Sequence, residues 1–260
     1  MKFEKPHFIV DYTKISKESS NRIQSTYKFF SLSEADAIVV LGGDGFMLDI
    51  LKRYQDLDLP FYGINKGTVG FLMNQNQNEN LLNKLNQAEE TIIHPLKMHA
   101  KKIDGSEEDH LAINEISILR SGSQAAKLKI VVDNLVRLEE LVCDGALVST
   151  PAGSTAYNYS AHGPILPIDS NILALTAMAA FRPRRWRGAL IPSNAKIEFF
   201  IKDSNKRPVS AYADSKEVKN ISSVKIESED DVYYKLPVSY THLRAHETVL
   251  DLVCRLLLEK

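Results

Sequence analysis

Cysteine is nearly absent. Cys143 and Cys254 are the only two in 260 residues, too few for a disulfide framework or a four-ligand metal site, so a reducing compartment is the expectation. An excess of either charge is lacking too. Lys and Arg number 32 against 33 Asp and Glu, so no global field draws the chain to nucleic acid or to an anionic membrane, and an anionic ligand has to be met locally. No window approaches the roughly 18 consecutive apolar residues of a spanning helix. The start, MKFEKPHFIVDY, lacks the apolar run of a signal peptide. These absences lead us to expect a cytoplasmic protein with neither nucleic acid nor membrane as partner. Three phosphate or hydrolase signatures are also missing: G-x-x-x-x-G-K-[ST], a G-x-G-x-x-G after the first strand, and G-x-S-x-G.

What is present can build a core, since 44% of residues are hydrophobic. Residues 1–94 alternate β-rich runs with helical patterns: FIV, a polar segment ending in YKFF, AIVVL, FMLDILKRY, PFYGIN. That order predicts βαβαβ, an α/β domain with a parallel Rossmann-like sheet whose ligands collect at the C-terminal strand ends. QNQNENLLNKLNQAEE reads as an exposed helix with Leu81, Leu82 and Leu85 as its buried stripe. Residues 95–236 read as an all-β, sandwich-like domain of antiparallel strands, with a two-residue turn at Asp133-Asn134 and one helix at SNILALTAMAA.

The stretch AIVVLGGDGFMLDIL places a carboxylate between glycines, after a strand and before an apolar-periodic segment. Gly42, Gly43 and Gly45 can take positive φ and admit another molecule close to the backbone. A helix beginning near Phe46 would aim free N–H groups at the same space, which suits a phosphate. Asp44 is then the odd member: beside a phosphate it has to hold a metal, orient a hydroxyl or accept a proton. A helix cap is the competing reading. GINKGTVGFL brings Gly67 and Gly70 to the end of the next strand, where Lys66 could meet a phosphate, with a solvated side chain as the expected reading.

DGALVSTPAGSTAYNYSAHGP, residues 144–164, packs hydroxyls, glycines and tyrosines together without a regular period. Ser149, Thr150, Ser154 and Thr155 offer short donors and acceptors, Gly153 allows close approach, and Tyr157 can stack on a flat ring. His162 reads as a loop residue. Asn114 and Glu115 interrupt the strand LAINEISIL. Neighbouring strand residues face opposite ways, so both reach one ligand only at a bulge or strand end; an edge strand with a solvated Glu115 is the alternative.

In order, GGDG at 42–45, the G-x-x-GFL element at 67–72, Asn114-Glu115, and DG-x-x-x-STP-x-GSTAY at 144–157 closely resemble the NAD kinase family. The resemblance spans most of residues 36–235. It implies an α/β domain, a β-sandwich domain and a site in the crevice between them. It also implies transfer of the γ-phosphoryl group of ATP, with Mg²⁺ or another divalent metal, to the 2′-hydroxyl of the adenosine ribose of NAD. By the same resemblance Asp44 orients the hydroxyl or takes its proton, and Gly43, Gly45 and Gly70 admit the nucleotide. Phe71 and Leu72 wall the pocket, and Asn114 and Glu115 bind the ribose region. Asp144, with Ala152, Ser154, Thr155, Ala156 and Tyr157, meets the base and amide ends. Asp214 lies where relatives carry Asp-Gly, although Ser215 follows it here. No protein metal ligand is assigned, and the family's dimers and tetramers imply a homo-oligomer.

Residues 237–260 depart from the family ending, and the change of texture suggests a foreign junction near Leu236, with a lineage-specific amphipathic helix as the alternative. Two rival functions remain on sequence grounds: a non-catalytic NAD(H)-binding regulator, and a lipid kinase sharing GGDG.

Overall fold

The β-formers of AIVVLG become the central strand of a small parallel sheet. The structure, a computed structural model, describes residues 2–67, 70–74 and 80–238 and divides into two units, one of residues up to Ile93 plus those from Tyr233 on, the other His94–Val232. In the first unit β1 (Pro6–Val10), β2 (Ala37–Gly42) and β3 (Phe61–Asn65) lie side by side in that order, all parallel. All six residues of β2 are buried, which is why its sequence is an unbroken apolar run rather than an alternation.

Helices α1 (Lys14–Gln24) and α2 (Asp44–Arg53) both pack on β2. Thr13 caps α1, its hydroxyl accepting the Ser16 N–H at 3.3 Å. The helix α3 (Leu81–Gln87) buries Leu81 and Leu85, one turn apart, while Leu82 is only half-buried. The expected three-leucine stripe is thus two leucines wide. β4 (Glu89–Ile93) then leads out of the unit.

The second unit is all-β apart from one short helical segment. Its strands are β5 (Leu96–Lys102), β6 (Glu107–Ala112), β7 (Glu115–Arg120), β8 (Ala126–Val132), β9 (Leu135–Cys143), β10 (Gly145–Ser149), β11 (Ile172–Met178), β12 (Gly188–Pro192), β13 (Ile197–Ile201), β14 (Val209–Ala213), β15 (Lys216–Val218) and β16 (Ile221–Ser228). They form two six-stranded sheets, ordered β12-β11-β10-β7-β14-β15 and β6-β5-β16-β13-β8-β9. Every pairing within the two sheets is antiparallel. Inward-facing residues of both, among them Ile116, Ile118, Val148, Leu128, Ile130 and Phe199, share one core. Asp133 and Asn134, at φ 50° and 62°, make the two-residue turn between β8 and β9. Both central residues are left-handed, as a hairpin of matching twist requires.

The helix expected at SNILALTAMAA is a strand. β11 runs between β10 and β12 with Leu173–Ala177 buried. A short apolar run buried on both faces carries no periodicity that distinguishes strand from helix.

The chain then rejoins the first unit. β17 (Tyr234–Val238) pairs antiparallel with β4, Tyr234 opposite Ile93. Tyr234, Leu236 and Val238 are buried. From residue 239 the atypical tail lies outside the described residues.

Candidate functional site

Two clusters collect the motif residues, one in each unit. In the first, β2 hands the chain to α2 through Gly43, which is extended at φ −113° and ψ 178°. The positive φ open to Gly42, Gly43 and Gly45 is not used, because a strand entering a helix through one extended residue needs no left-handed turn. What the glycines provide is space. A Cβ at Gly42 would strike the Phe46 ring at 2.7 Å, whereas one at Gly43 or Gly45 would meet nothing within 4 Å.

The helix starts at Asp44, two residues earlier than Phe46, and the carboxylate occupies its first turn. The helix dipole favours a negative charge there. Asp44 Oδ2 accepts the Phe71 N–H at 2.8 Å and Oδ1 accepts the Leu72 N–H at 3.1 Å. The carboxylate therefore ties the GGDG turn to the following glycine element. Gly70 fits there because it has no side chain: a Cβ would lie 2.9 Å from Asn65 Cγ. Leu72 is buried and Phe71 half-buried. Lys66 N–H donates to Gly42 O at 2.7 Å, drawing the ends of β2 and β3 together. Contrary to expectation its side chain is buried, and burial, with Arg22 adding to it, lowers its pKa to about 8.

In the second cluster Glu115 opens β7, a central strand flanked by β10 and β14, and is buried. This overturns the solvated-edge reading. Asn114 sits at the strand end that two-residue access requires, between β6 and β7. Its Oδ1 is buried without a hydrogen-bond partner among the described residues, a situation that costs about 1–3 kcal/mol unless a donor arrives. Asp214 is the first residue of the turn from β14 to β15, at φ 50°. Its carboxylate accepts the N–H groups of Ile113, Asn114 and Glu115 at 2.9, 2.9 and 3.2 Å. Asp144 pairs with Arg120, Oδ1 to Nε at 2.6 Å, and keeps half of its side chain in solvent.

After β10 the chain makes a 3-10 turn over Ala152–Thr155 and a single helical turn, α4 (Tyr157–Ser160). Ala152, Ser154 and Thr155 are buried, and Tyr157 is 38% exposed. The Ser154 hydroxyl is occupied inside the unit, donating to Pro151 O at 2.7 Å and accepting the Leu166 N–H at 3.0 Å. Asn158, which the sequence did not single out, organises the loop. Fully buried, it donates to Ser154 O and Pro164 O and accepts the Thr176 hydroxyl at 2.6 Å. Its neighbours Tyr157 and Tyr159 are exposed, so no local pattern marks it as buried. His162 is a loop residue at φ 61°.

Residues 4–91 match the ATP-NAD kinase N-terminal domain and residues 113–243 the ATP-NAD kinase C-terminal domain. The chain belongs to the NAD kinase family. A curated NAD kinase from Cereibacter sphaeroides is 56% identical over 229 residues, 88% of this chain and 90% of that protein. One from Caulobacter vibrioides is 54% identical over 217 residues, 83% and 82% of the two chains. Among solved structures, an NAD kinase from Archaeoglobus fulgidus in complex with ATP superposes with TM-score 0.71 at 26% identity, covering 93% of this chain and 96% of that one. Yeast NADH kinase complexed with NADH shares the fold, with TM-score 0.74 at 19% identity and coverage of 92% and 84%.

The NAD kinase C-terminal match begins at Ile113, the first of the three N–H donors to Asp214. Among the described residues no group of three or more His, Cys, Asp or Glu could hold a metal ion, and no helix is long and apolar enough to cross a membrane.

Proposed function

We propose that this chain transfers the γ-phosphoryl group of ATP to the 2′-hydroxyl of the adenosine ribose of NAD, forming NADP. The observation that carries the reading is Asp44, a carboxylate fixed by two backbone N–H groups at a helix N-terminus, with open space over Gly43 and Gly45. Phosphoryl transfer asks the protein mainly for positioning and charge stabilisation. Asp44 orients the attacking hydroxyl or accepts its proton, and the helix N–H groups face phosphate oxygens.

Mg²⁺ enters with the triphosphate as part of the substrate. A single carboxylate beside substrate phosphates is a setting that suits this ion, which keeps most of its water. Asn114 and Glu115 take the ribose region; Phe71 and Leu72 wall the pocket. Asp144, Ala152 and the Ser154–Tyr157 segment, with Thr155 and Ala156 between, take the base and amide ends. The ATP bound to the Archaeoglobus relative supports the donor. A homo-oligomer in the cytoplasm, without nucleic acid or membrane as partner, completes the reading.

The test incubates purified protein and its Asp44→Asn variant with NAD, Mg²⁺ and ATP, and follows NADP through an NADP-specific dehydrogenase. NADP from the wild type alone supports the assignment. A folded wild type that binds NAD yet forms no NADP overturns it in favour of a regulator, and phosphorylation of a lipid in place of NAD would make the chain a lipid kinase.

A further inference from the structure

In a regular strand successive N–H groups point to opposite sides. Ile113, Asn114 and Glu115 instead direct three consecutive N–H groups to the single carboxylate of Asp214. The carbonyls of the same segment are held from Thr150. Its hydroxyl donates to Ile113 O at 2.7 Å and lies 3.1 Å from Asn114 O, and its N–H donates to Asn114 O at 2.9 Å. That hydroxyl also accepts the Gly153 N–H at 3.0 Å. Gly153 lies so close to Asn114 that a Cβ on it would sit 2.2 Å from the Asn114 carbonyl oxygen.

The backbone N–H and C=O groups of Ile113 and Asn114 are thus engaged. The Asn114 side-chain oxygen is buried in the same place without a partner among the described residues. A backbone fixed on both sides beneath one unpartnered buried acceptor is a preorganised site for an incoming donor.

We propose that Asp214 and Thr150 are positioning residues for nucleotide binding: they clamp the Ile113–Glu115 backbone so that Asn114 presents its side-chain oxygen to a hydroxyl or amino donor of NAD. The inference rests on the NAD kinase reading above. It moves Asp214 from the ligand to the support beneath a ligand-binding residue, since its carboxylate oxygens face the backbone of the Asn114 segment.

The experiment compares Asp214→Asn, Thr150→Val, Thr150→Ser, Asn114→Ala and the double variant Asp214→Asn/Asn114→Ala. For each, kcat, the KM values for NAD and ATP, and the calorimetric NAD dissociation constant are measured, with thermal unfolding as a check on folding. Asp214→Asn and Thr150→Val are expected to weaken NAD about tenfold, the size of one hydrogen bond, with kcat and the KM for ATP nearly unchanged. Thr150→Ser, which keeps the hydroxyl, restores wild-type affinity.

In the Asn114→Ala background Asp214→Asn adds less than about twofold, because the two changes remove one interaction. Additive losses in the double variant overturn the proposal, as does wild-type NAD affinity in a folded Asp214→Asn. Should Asp214→Asn fail to fold, the contrast between Thr150→Val and Thr150→Ser decides: equal affinities refute the clamp. A wild type that binds NAD but makes no NADP refutes the activity and leaves the calorimetric comparison in force; absence of NAD binding refutes both.

Discussion

The Asp44 carboxylate accepts the backbone N–H of Phe71 at 2.8 Å, across a sequence separation of 27 residues. The carboxylate proposed to act on the hydroxyl also joins two glycine elements, so substitution there has two separable effects.

Asp44→Asn keeps the side chain's shape but replaces one acceptor oxygen with an NH₂ that faces a backbone N–H. Stability should fall by about 1–2 kcal/mol, the scale of one lost charge-assisted hydrogen bond. Turnover should fall about a hundredfold or more, the scale of a lost acid–base or positioning group. Urea unfolding and kcat at saturating NAD and ATP separate the two. A folded variant with wild-type kcat would remove Asp44 from the chemistry.

The glycines divide into two classes with opposite expectations. Gly43 has open space where a methyl would go, so Gly43→Ala should leave stability within about 0.5 kcal/mol. On the proposed function the methyl would intrude on the phosphates, and the KM for ATP should rise. Gly153→Ala would drive a methyl to within 2.2 Å of the Asn114 carbonyl oxygen and should cost about 2–3 kcal/mol by overpacking. Chemical denaturation and ATP kinetics on both variants check the contrast; equal stability losses would refute it.

Lys66 makes a prediction about pH. Its folded pKa, lowered from 10.5 to about 8 by burial and then by Arg22, means the folded chain binds that proton more weakly than the unfolded chain. The burden of the buried charge is fully present below about pH 8 and is relieved as pH climbs from there toward 10.5. Wild type should therefore gain stability relative to Lys66→Met between pH 7 and pH 9.5, a window whose upper limit lies about half a unit below the ordinary tyrosine pKa of about 10. Denaturation midpoints of the two proteins at both pH values measure it, and parallel behaviour would refute the buried-lysine account.

The parallel sheet was legible because AIVVL and PFYGIN are short runs enriched in β-branched and aromatic residues that alternate with helical patterns, and GGDG announced the strand-to-helix turn. The Asp133-Asn134 hairpin was legible because few residue pairs take two left-handed conformations in succession. β11 was hidden for the opposite reason: ILALTAM, rich in Ala, Leu and Met, is buried through its middle and shows neither a two-residue nor a 3.6-residue period.

At the site, the residue types at Asp44, Asn114 and Asp214 were visible, but their hydrogen-bond partners were not. The acceptors and donors lie 27 and about 100 positions away in the chain, and no local pattern encodes contacts of that range. Lys66 was misread because charge alone argues for solvent, whereas its place at the junction of two strand ends buries it.

The pairing of β4 with β17 makes the first unit discontinuous, with residues 94–232 inserted between its two parts. At the insertion's own ends, His94 Nδ1 lies 3.1 Å from the carbonyl oxygen of Val232, so its two termini are neighbours. During synthesis from the N-terminus, all of the inserted β-unit leaves the ribosome before β17 does. The sandwich can therefore complete its sheets on the nascent chain while the first unit still lacks its closing strand, and until β17 emerges β4 has no strand partner.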